Sequence, residues 1–85
     1  MQLNGQAAIV TGGASGLGGA TAAFLAQAGA KVTIFDMNAE LGEEKATAIG
    51  GKFLRVDVTD ESAVEAAIAE AEGLHGKARI LVNCA

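Results

Sequence analysis

The densest chemistry-bearing stretch of this 85-residue chain is Thr11-Gly-Gly-Ala-Ser-Gly-Leu-Gly18, which places glycines at 12, 16 and 18 in a G-x-x-x-G-x-G spacing. It follows a short apolar run and precedes a stretch with helical spacing, so it falls where a strand turns into a helix. Gly12 lets the chain leave the strand sharply, where a side chain would demand a costly backbone angle. Gly16 lets a ligand come against the backbone, and Gly18 lets the helix pack close to the sheet. The amides of Ser15, Gly16, Leu17 and Gly18 then open a helix N-terminus carrying about half a positive charge, which suits a pyrophosphate. The plain alternative is a glycine-rich turn with no ligand, and it fits poorly at this junction. A P-loop is excluded, because no Gly-Lys-Ser/Thr follows.

Asp36 closes the next apolar run, eighteen residues after Gly18. A carboxylate there can accept hydrogen bonds from both hydroxyls of an adenosine ribose. It would repel a 2'-phosphate, and neither Ser15 nor Met37 offers a compensating cation, which favours NAD over NADP. Asp57-Val58 closes a third run, where the adenine would lie: the Asp57 carboxylate can accept from its exocyclic amine and the Val58 amide can donate to a ring nitrogen. Asn83-Cys84-Ala85 closes a fourth, with Asn83 placed to tie the inter-strand loops together through its amide. For these last two pairs, turn chemistry and capping are an even alternative.

The elements that position these residues are legible from pattern. Gln6 to Thr11, Lys31 to Asp36, Lys52 to Asp57 and Arg79 to Cys84 are short apolar runs of the kind buried on both faces of a parallel sheet. Between them run three helices. Leu17, Thr21, Phe24 and Ala28 form the expected stripe of the first, which Gly29 ends. Asn38 caps the second through roughly Ile49, with Gly50-Gly51 stopping it. Thr59 is the expected cap of the third, with Asp60 and Glu61 in its first turn and a stripe of Val64, Ala67 or Ile68, Ala71 and Leu74. Strand alternating with helix implies right-handed crossovers and a parallel sheet. The prediction is the first half of a doubly wound, Rossmann-type α/β fold, with all four strands interior and helices on both faces. The alanine-rich helices give a thin core, so residues 1–85 alone should be marginally stable.

Composition closes other routes. Half of the residues are hydrophobic (51%) and the formal net charge is -4, so neither nucleic acid nor an anionic membrane surface is an expected partner. No apolar run reaches the ~18 residues of a spanning helix, and no basic, acid-poor leader is visible, which points to the cytoplasm. One cysteine suits a reducing compartment.

TGGASGLG after the first strand, Asp at the end of the second, Asp-Val at the end of the third and Asn-Cys-Ala at the end of the fourth together resemble the short-chain dehydrogenase/reductase family. The likeness spans essentially the whole chain. The wording of the loop and the cysteine variant are most similar to the type 2 3-hydroxyacyl-CoA dehydrogenases, which also act on hydroxysteroids. By that resemblance Ser15 and Leu17 contact the pyrophosphate side of NAD, Asp36 the adenosine ribose, Asp57 and Val58 the adenine, and Cys84 the second ribose through its backbone. It also implies a homo-tetramer or dimer acting on a small-molecule secondary alcohol or ketone.

The family's chemistry needs a tyrosine as general acid/base, a lysine four residues on that lowers its pKa, and a serine that polarises the substrate carbonyl. An unperturbed tyrosine has a pKa of about 10, so the cation is a physical requirement near neutrality. These 85 residues contain no tyrosine. They are therefore expected to be the N-terminal dinucleotide-binding part of a single enzyme domain, with catalytic residues outside them. A non-catalytic dinucleotide-binding module or sensor is the alternative. Cys84 reads as a buried, inert thiol, His75 as a helix-end residue, and Glu61, Glu65, Glu70 and Glu72 as a solvated face; no metal site is expected.

Overall fold

A computed structural model describes residues 3–84; Ala85, the last residue of the Asn-Cys-Ala motif, lies outside them. Strands and helices alternate: β1 (Ala7–Thr11), α1 (Gly16–Gln27), β2 (Lys31–Asp36), α2 (Ala39–Ile49), β3 (Lys52–Arg55), α3 (Glu61–His75) and β4 (Ala78–Asn83). The four strands form one parallel sheet in the order β3-β2-β1-β4. This is the Rossmann-like α/β arrangement that the alternation predicts.

The chain steps in one direction from β1 to β2 to β3, which lays α1 and α2 on the same face. It then returns past its starting point to β4, and α3 covers the opposite face. Ala8, Val10, Val32 and Ile34 meet Ala22, Leu25 and Ala46 on the first face. On the second, Ile9, Phe35 and Val56 meet Ala67 and Ala71. Phe35 is fully buried, and removing a side chain of that size from water stabilises the fold by roughly 1.5–3 kcal/mol.

Local signals set the helix ends. Asn38 caps α2 as expected, its Oδ1 accepting from the Leu41 amide at 3.0 Å, and Gly50 ends the helix in the left-handed region at φ 72°. α3 starts one residue later than expected. Asp60, not Thr59, is its cap and accepts from the Ala63 amide at 3.2 Å. Thr59 is diverted because its hydroxyl and amide both donate to Asp57 Oδ1, at 2.6 and 2.9 Å.

Two expectations about faces fail. α1 buries Gly18, Gly19, Ala22 and Leu25, whereas Leu17 and Phe24 of the expected stripe are 79% and 65% exposed. The sheet accepts this helix through its smallest residues, and a larger side chain on that face would hold it off. Nor are all four strands interior. Among the described residues only β1 and β2 have neighbours on both sides, and β4 alternates between half-buried and exposed with Leu81 62% exposed. An apolar run reads alike whether its outer neighbour is present or not. The third strand also closes at Arg55 instead of Asp57, although Val56 stays buried and its amide still reaches the Asp36 carbonyl at 3.1 Å. Among the described residues no helix is long and apolar enough to cross a membrane.

Candidate functional site

The strand order reverses at β1: the chain runs outward through β2 and β3 and then returns to add β4 on the other side of β1. α1 and α3 lie on opposite faces of the sheet, the arrangement that leaves a crevice beyond the carboxyl ends of β1 and β4. The glycine loop leaves β1 at that crevice. Its first residue is pinned to the neighbouring strand, the Gly12 amide donating to the Phe35 carbonyl at 2.8 Å. Gly12 and Gly16 have φ of 67° and 60°, values that L side chains rarely adopt. A Cβ on Gly16 would meet nothing within 4 Å, so the backbone there faces open space. A Cβ on Gly18 would overlap the Gly12 carbonyl and stand 3.2 Å from the Cys84 Cβ. Gly16 therefore keeps the crevice floor bare, while Gly18 lets α1, β1 and the end of β4 converge.

Ser15 occupies the N-cap position of α1 in an extended conformation, yet its side chain makes no capping hydrogen bond. Asn38 and Asp60 do cap α2 and α3. The helix that starts in the crevice thus offers its first amides, with no acidic side chain in its first turn to neutralise them.

Asp36 stands at the rim of the loop, half-buried. Its Oδ2 accepts from the Ala14 amide at 3.2 Å and its Oδ1 from the Asn38 amide at 3.0 Å. A carboxylate has about four lone-pair positions, so each oxygen retains one for a further donor. Beside it lies a depression of about 120 Å³ lined by Gly12, Phe35, Asp36, Met37, Val56 and Val58. A second, of about 130 Å³, is lined by Thr11, Phe35, Val58, Val64, Ile68, Leu81 and Asn83. Phe35 and Val58 line both.

Asp57 is exposed and does not line either depression. The hydrogen bonds from the Thr59 hydroxyl and then its amide hold the Asp57 carboxyl below the usual carboxylate range, with a smaller contribution from the Arg55 charge. At the end of β4 the Thr11 hydroxyl donates to Asn83 Oδ1 at 2.7 Å. The Cys84 amide donates to both the carbonyl and the hydroxyl oxygen of Thr11, at 3.1 and 3.2 Å. Asn83 thus links the end of β4 to the end of β1. The Cys84 thiol is half-buried and unpaired with any other cysteine.

Of the residues expected at the site, Gly12, Asp36 and Val58 line the first depression and Val58 and Asn83 the second. Ser15, Gly16, Leu17 and Gly18 open α1 just after β1, Cys84 follows β4 close to Gly18, and Asp57 lines neither depression. Thr11, Ala14 and Arg55 were not foreseen. Thr11 bridges two strand ends, Ala14 supplies the amide that fastens Asp36, and Arg55 pairs in register with Asp36 on the adjacent strand. A polar residue ending an otherwise apolar β1 was the one available signal for Thr11. His75 lies at the opposite end of α3, its Nε2 buried without a hydrogen-bond partner. Among the described residues no cluster of three His, Cys, Asp or Glu side chains could hold a metal ion.

The family model for short chain dehydrogenases matches residues 6–85. The chain belongs to that family. Its members are oxidoreductases that generally bind NAD or NADP. Among curated relatives, the 3-hydroxyacyl-CoA dehydrogenase type-2 of Drosophila melanogaster is 48% identical over 79 residues, which cover 91% of this chain and 31% of that protein. A solved short chain dehydrogenase/reductase family protein superposes with a TM-score of 0.87 at 39% identity, over 100% of this chain and 35% of the other. Another, named as a ribose-5-phosphate isomerase from Brucella melitensis 16M, gives a TM-score of 0.93 at 43% identity, over 99% of this chain and 33% of that one. The chain spans about a third of the length of these relatives.

Proposed function

We propose that these residues form the adenosine-diphosphate half of an NAD site in a short chain dehydrogenase that oxidises a secondary alcohol or reduces a ketone, of the 3-hydroxyacyl-CoA or hydroxysteroid class. The observation that carries this reading is the pairing of an uncapped α1 N-terminus with the Asp36 carboxylate, joined through the Ala14 amide on one rim of the crevice.

In this reading the amides of Ser15 to Gly18 receive the pyrophosphate, and Gly12, Gly16 and Gly18 keep side chains out of its path. Leu17, 79% exposed at the helix start, covers the phosphates from the solvent side. Asp36 accepts from the adenosine ribose hydroxyls with the lone pairs its backbone bonds leave over. Val58 and Phe35 supply the apolar wall for adenine, and Asp57 lies at its polar edge. Cys84 spends its amide on Thr11, so a contact from its backbone to the second ribose falls to its carbonyl. Nicotinamide, when bound, supplies the hydride chemistry. The general acid/base is outside these 85 residues, which contain no tyrosine. The reading extends to a cytoplasmic homo-tetramer or dimer.

Titrating the intact protein with NADH while following nicotinamide fluorescence tests the proposal. Saturable enhancement that Asp36→Ala weakens supports it. A flat titration at millimolar NADH overturns it.

A further inference from the structure

The entry to β1, at the far end of the strand from the crevice, carries a chemistry of its own. Asn4 is followed by Gly5, the only Asn-Gly pair in the chain; Asn38 and Asn83 are followed by Ala39 and Cys84. The pair forms a tight turn. The Gln6 amide donates to the Leu3 carbonyl at 3.0 Å, and Gly5 takes φ of 80°, the value that a type II turn requires at its third position and that glycine adopts without strain. This turn is clasped to the one that ends α1. The Gly5 amide donates to the Gly29 carbonyl and the Lys31 amide to the Gln6 carbonyl, both at 2.8 Å. A Cβ on Gly29 would overlap Asn4 Oδ1. Asn4 is exposed, and among the described residues its side-chain amide makes no hydrogen bond. By contrast, Asn38 Oδ1 accepts from the Leu41 amide and Asn83 Oδ1 from the Thr11 hydroxyl.

We propose that Asn4 is a self-modifying site, which loses its side-chain amide to attack by the Gly5 backbone nitrogen, and that the Gly5–Gly29 hydrogen bond is the lock that sets the rate. Hydroxide removes the Gly5 amide proton, and the nitrogen bonds to Asn4 Cγ. The bond from Cγ to Nδ2 breaks, ammonia leaves with a proton from water, and a cyclic imide closes. Water then opens the ring at Cγ to give aspartate, or at the Asn4 backbone carbonyl carbon to give isoaspartate, whose main chain runs through the side-chain carbons. Glycine at position 5 favours the attack because no Cβ crowds the nitrogen. In the folded chain that N–H is committed to the Gly29 carbonyl, so the reaction waits for the clasp to open. The change runs one way. The imide has no N–H to offer Gly29, and isoaspartate returns it on a backbone one methylene longer, which no longer fits the turn after α1.

The test is to age the intact protein in mildly alkaline buffer and follow each asparagine by peptide mass spectrometry, with an isoaspartyl methyl-transfer assay beside it. The folded parent, the parent in urea, and Gly29→Ala are compared at one pH. Asn4 should convert ahead of Asn38 and Asn83, with isoaspartate among the products. Conversion in urea should be faster than in the fold by about tenfold or more, since opening the clasp takes free energy that the unfolded chain does not spend. Gly29→Ala, whose methyl displaces Asn4, should convert faster than the folded parent. Gly5→Ala in urea should convert more slowly than the parent in urea, an arm that needs no folded variant. Equal rates for the folded and unfolded parent, or a folded Gly29→Ala that keeps the parental rate, would show that the hydrogen bond is no lock and overturn the inference. Prior conversion at Asn38 or Asn83 in the fold, or an Asn4 that stays intact in urea, would overturn the site itself.

Discussion

The Asp36 carboxylate accepts from the Ala14 amide at 3.2 Å, so the residue that closes β2 is fastened to the loop that leaves β1. The bond lies on the rim of the crevice and fixes the carboxylate relative to the loop that opens α1. Binding of a flexible dinucleotide costs less when its two anchor points are already set.

Asp36→Ala should weaken NAD binding by about 1–3 kcal/mol, the range for losing charge-assisted hydrogen bonds. It also releases the Ala14 amide, so Asp36→Asn, which keeps an acceptor, should retain more of the affinity. Calorimetry on both variants checks this. Affinities equal to the parent's would remove Asp36 from the site.

Gly16 and Gly18 should respond differently to alanine. At Gly16, φ of 60° costs an L residue roughly 1–2 kcal/mol, but the added methyl touches no protein atom within 4 Å. The methyl projects into the space assigned to the diphosphate, so Gly16→Ala should lose dinucleotide affinity well beyond its loss of stability. Gly18→Ala drives a methyl into the Gly12 carbonyl and must displace α1, so stability and affinity should fall together. Urea unfolding beside NADH titration separates the two patterns, and a Gly18→Ala protein of parental stability would contradict the packing.

Much of this arrangement is legible in sequence because it depends on local signals. Asn38 before a helical stretch, Gly50 after it, and a glycine loop between strand and helix are read from a few adjacent residues. What escapes is long-range. Leu17 and Phe24 have helical spacing, but α1 turns Gly18, Ala22 and Leu25 inward because the sheet leaves room only for small side chains along most of that face. Arg55 stands opposite Asp36 only through strand register, which no spacing reveals. The competition between Thr59 and Asp60 for the α3 cap is settled by Asp57, which takes both of the Thr59 donors.

That settlement predicts an asymmetry. Asp60→Ala should destabilise the fold by about 1 kcal/mol, the usual cost of a lost N-cap. Thr59→Ala leaves that cap intact and removes the chief hydrogen bond that lowers the Asp57 carboxyl, so the Asp57 pKa should rise toward its ordinary value. Denaturant unfolding and carboxyl chemical shifts followed through an acid titration report the two effects. Greater destabilisation from Thr59→Ala than from Asp60→Ala would return the cap to Thr59.

Thr11 is the hinge of the far wall, buried, with its hydroxyl donating to Asn83 and accepting from the Cys84 amide. Thr11→Val keeps the shape and deletes both bonds, while the Cys84 amide retains the Thr11 carbonyl at 3.1 Å. The expected loss is about 1–2 kcal/mol, with Asn83 Oδ1 deprived of its hydroxyl donor. Amide exchange localises it: the Cys84 amide should lose protection while those of α2 keep theirs. Unaltered exchange at Cys84 would show that the hydroxyl does not hold β4.

His75 sets an acid limit on stability. Burial, followed by the charges of Lys31 and Lys52, pushes its pKa below the ordinary 6.5, against a weaker opposing pull from the Val32 backbone. Its Nε2 has no partner to receive a proton's charge. The folded state therefore prefers neutral imidazole, and the unfolded chain takes up the proton at higher pH. The contribution is fully present above about pH 6.5 and is lost as pH falls through that value toward the lower folded pKa. The thermal midpoint should accordingly decline between pH 7 and pH 5, before most carboxylates titrate. His75→Phe fills the same space without a titrating group, so its midpoint should be flatter over that interval. Parallel slopes for parent and variant would show that His75 is not the group that binds the proton on unfolding.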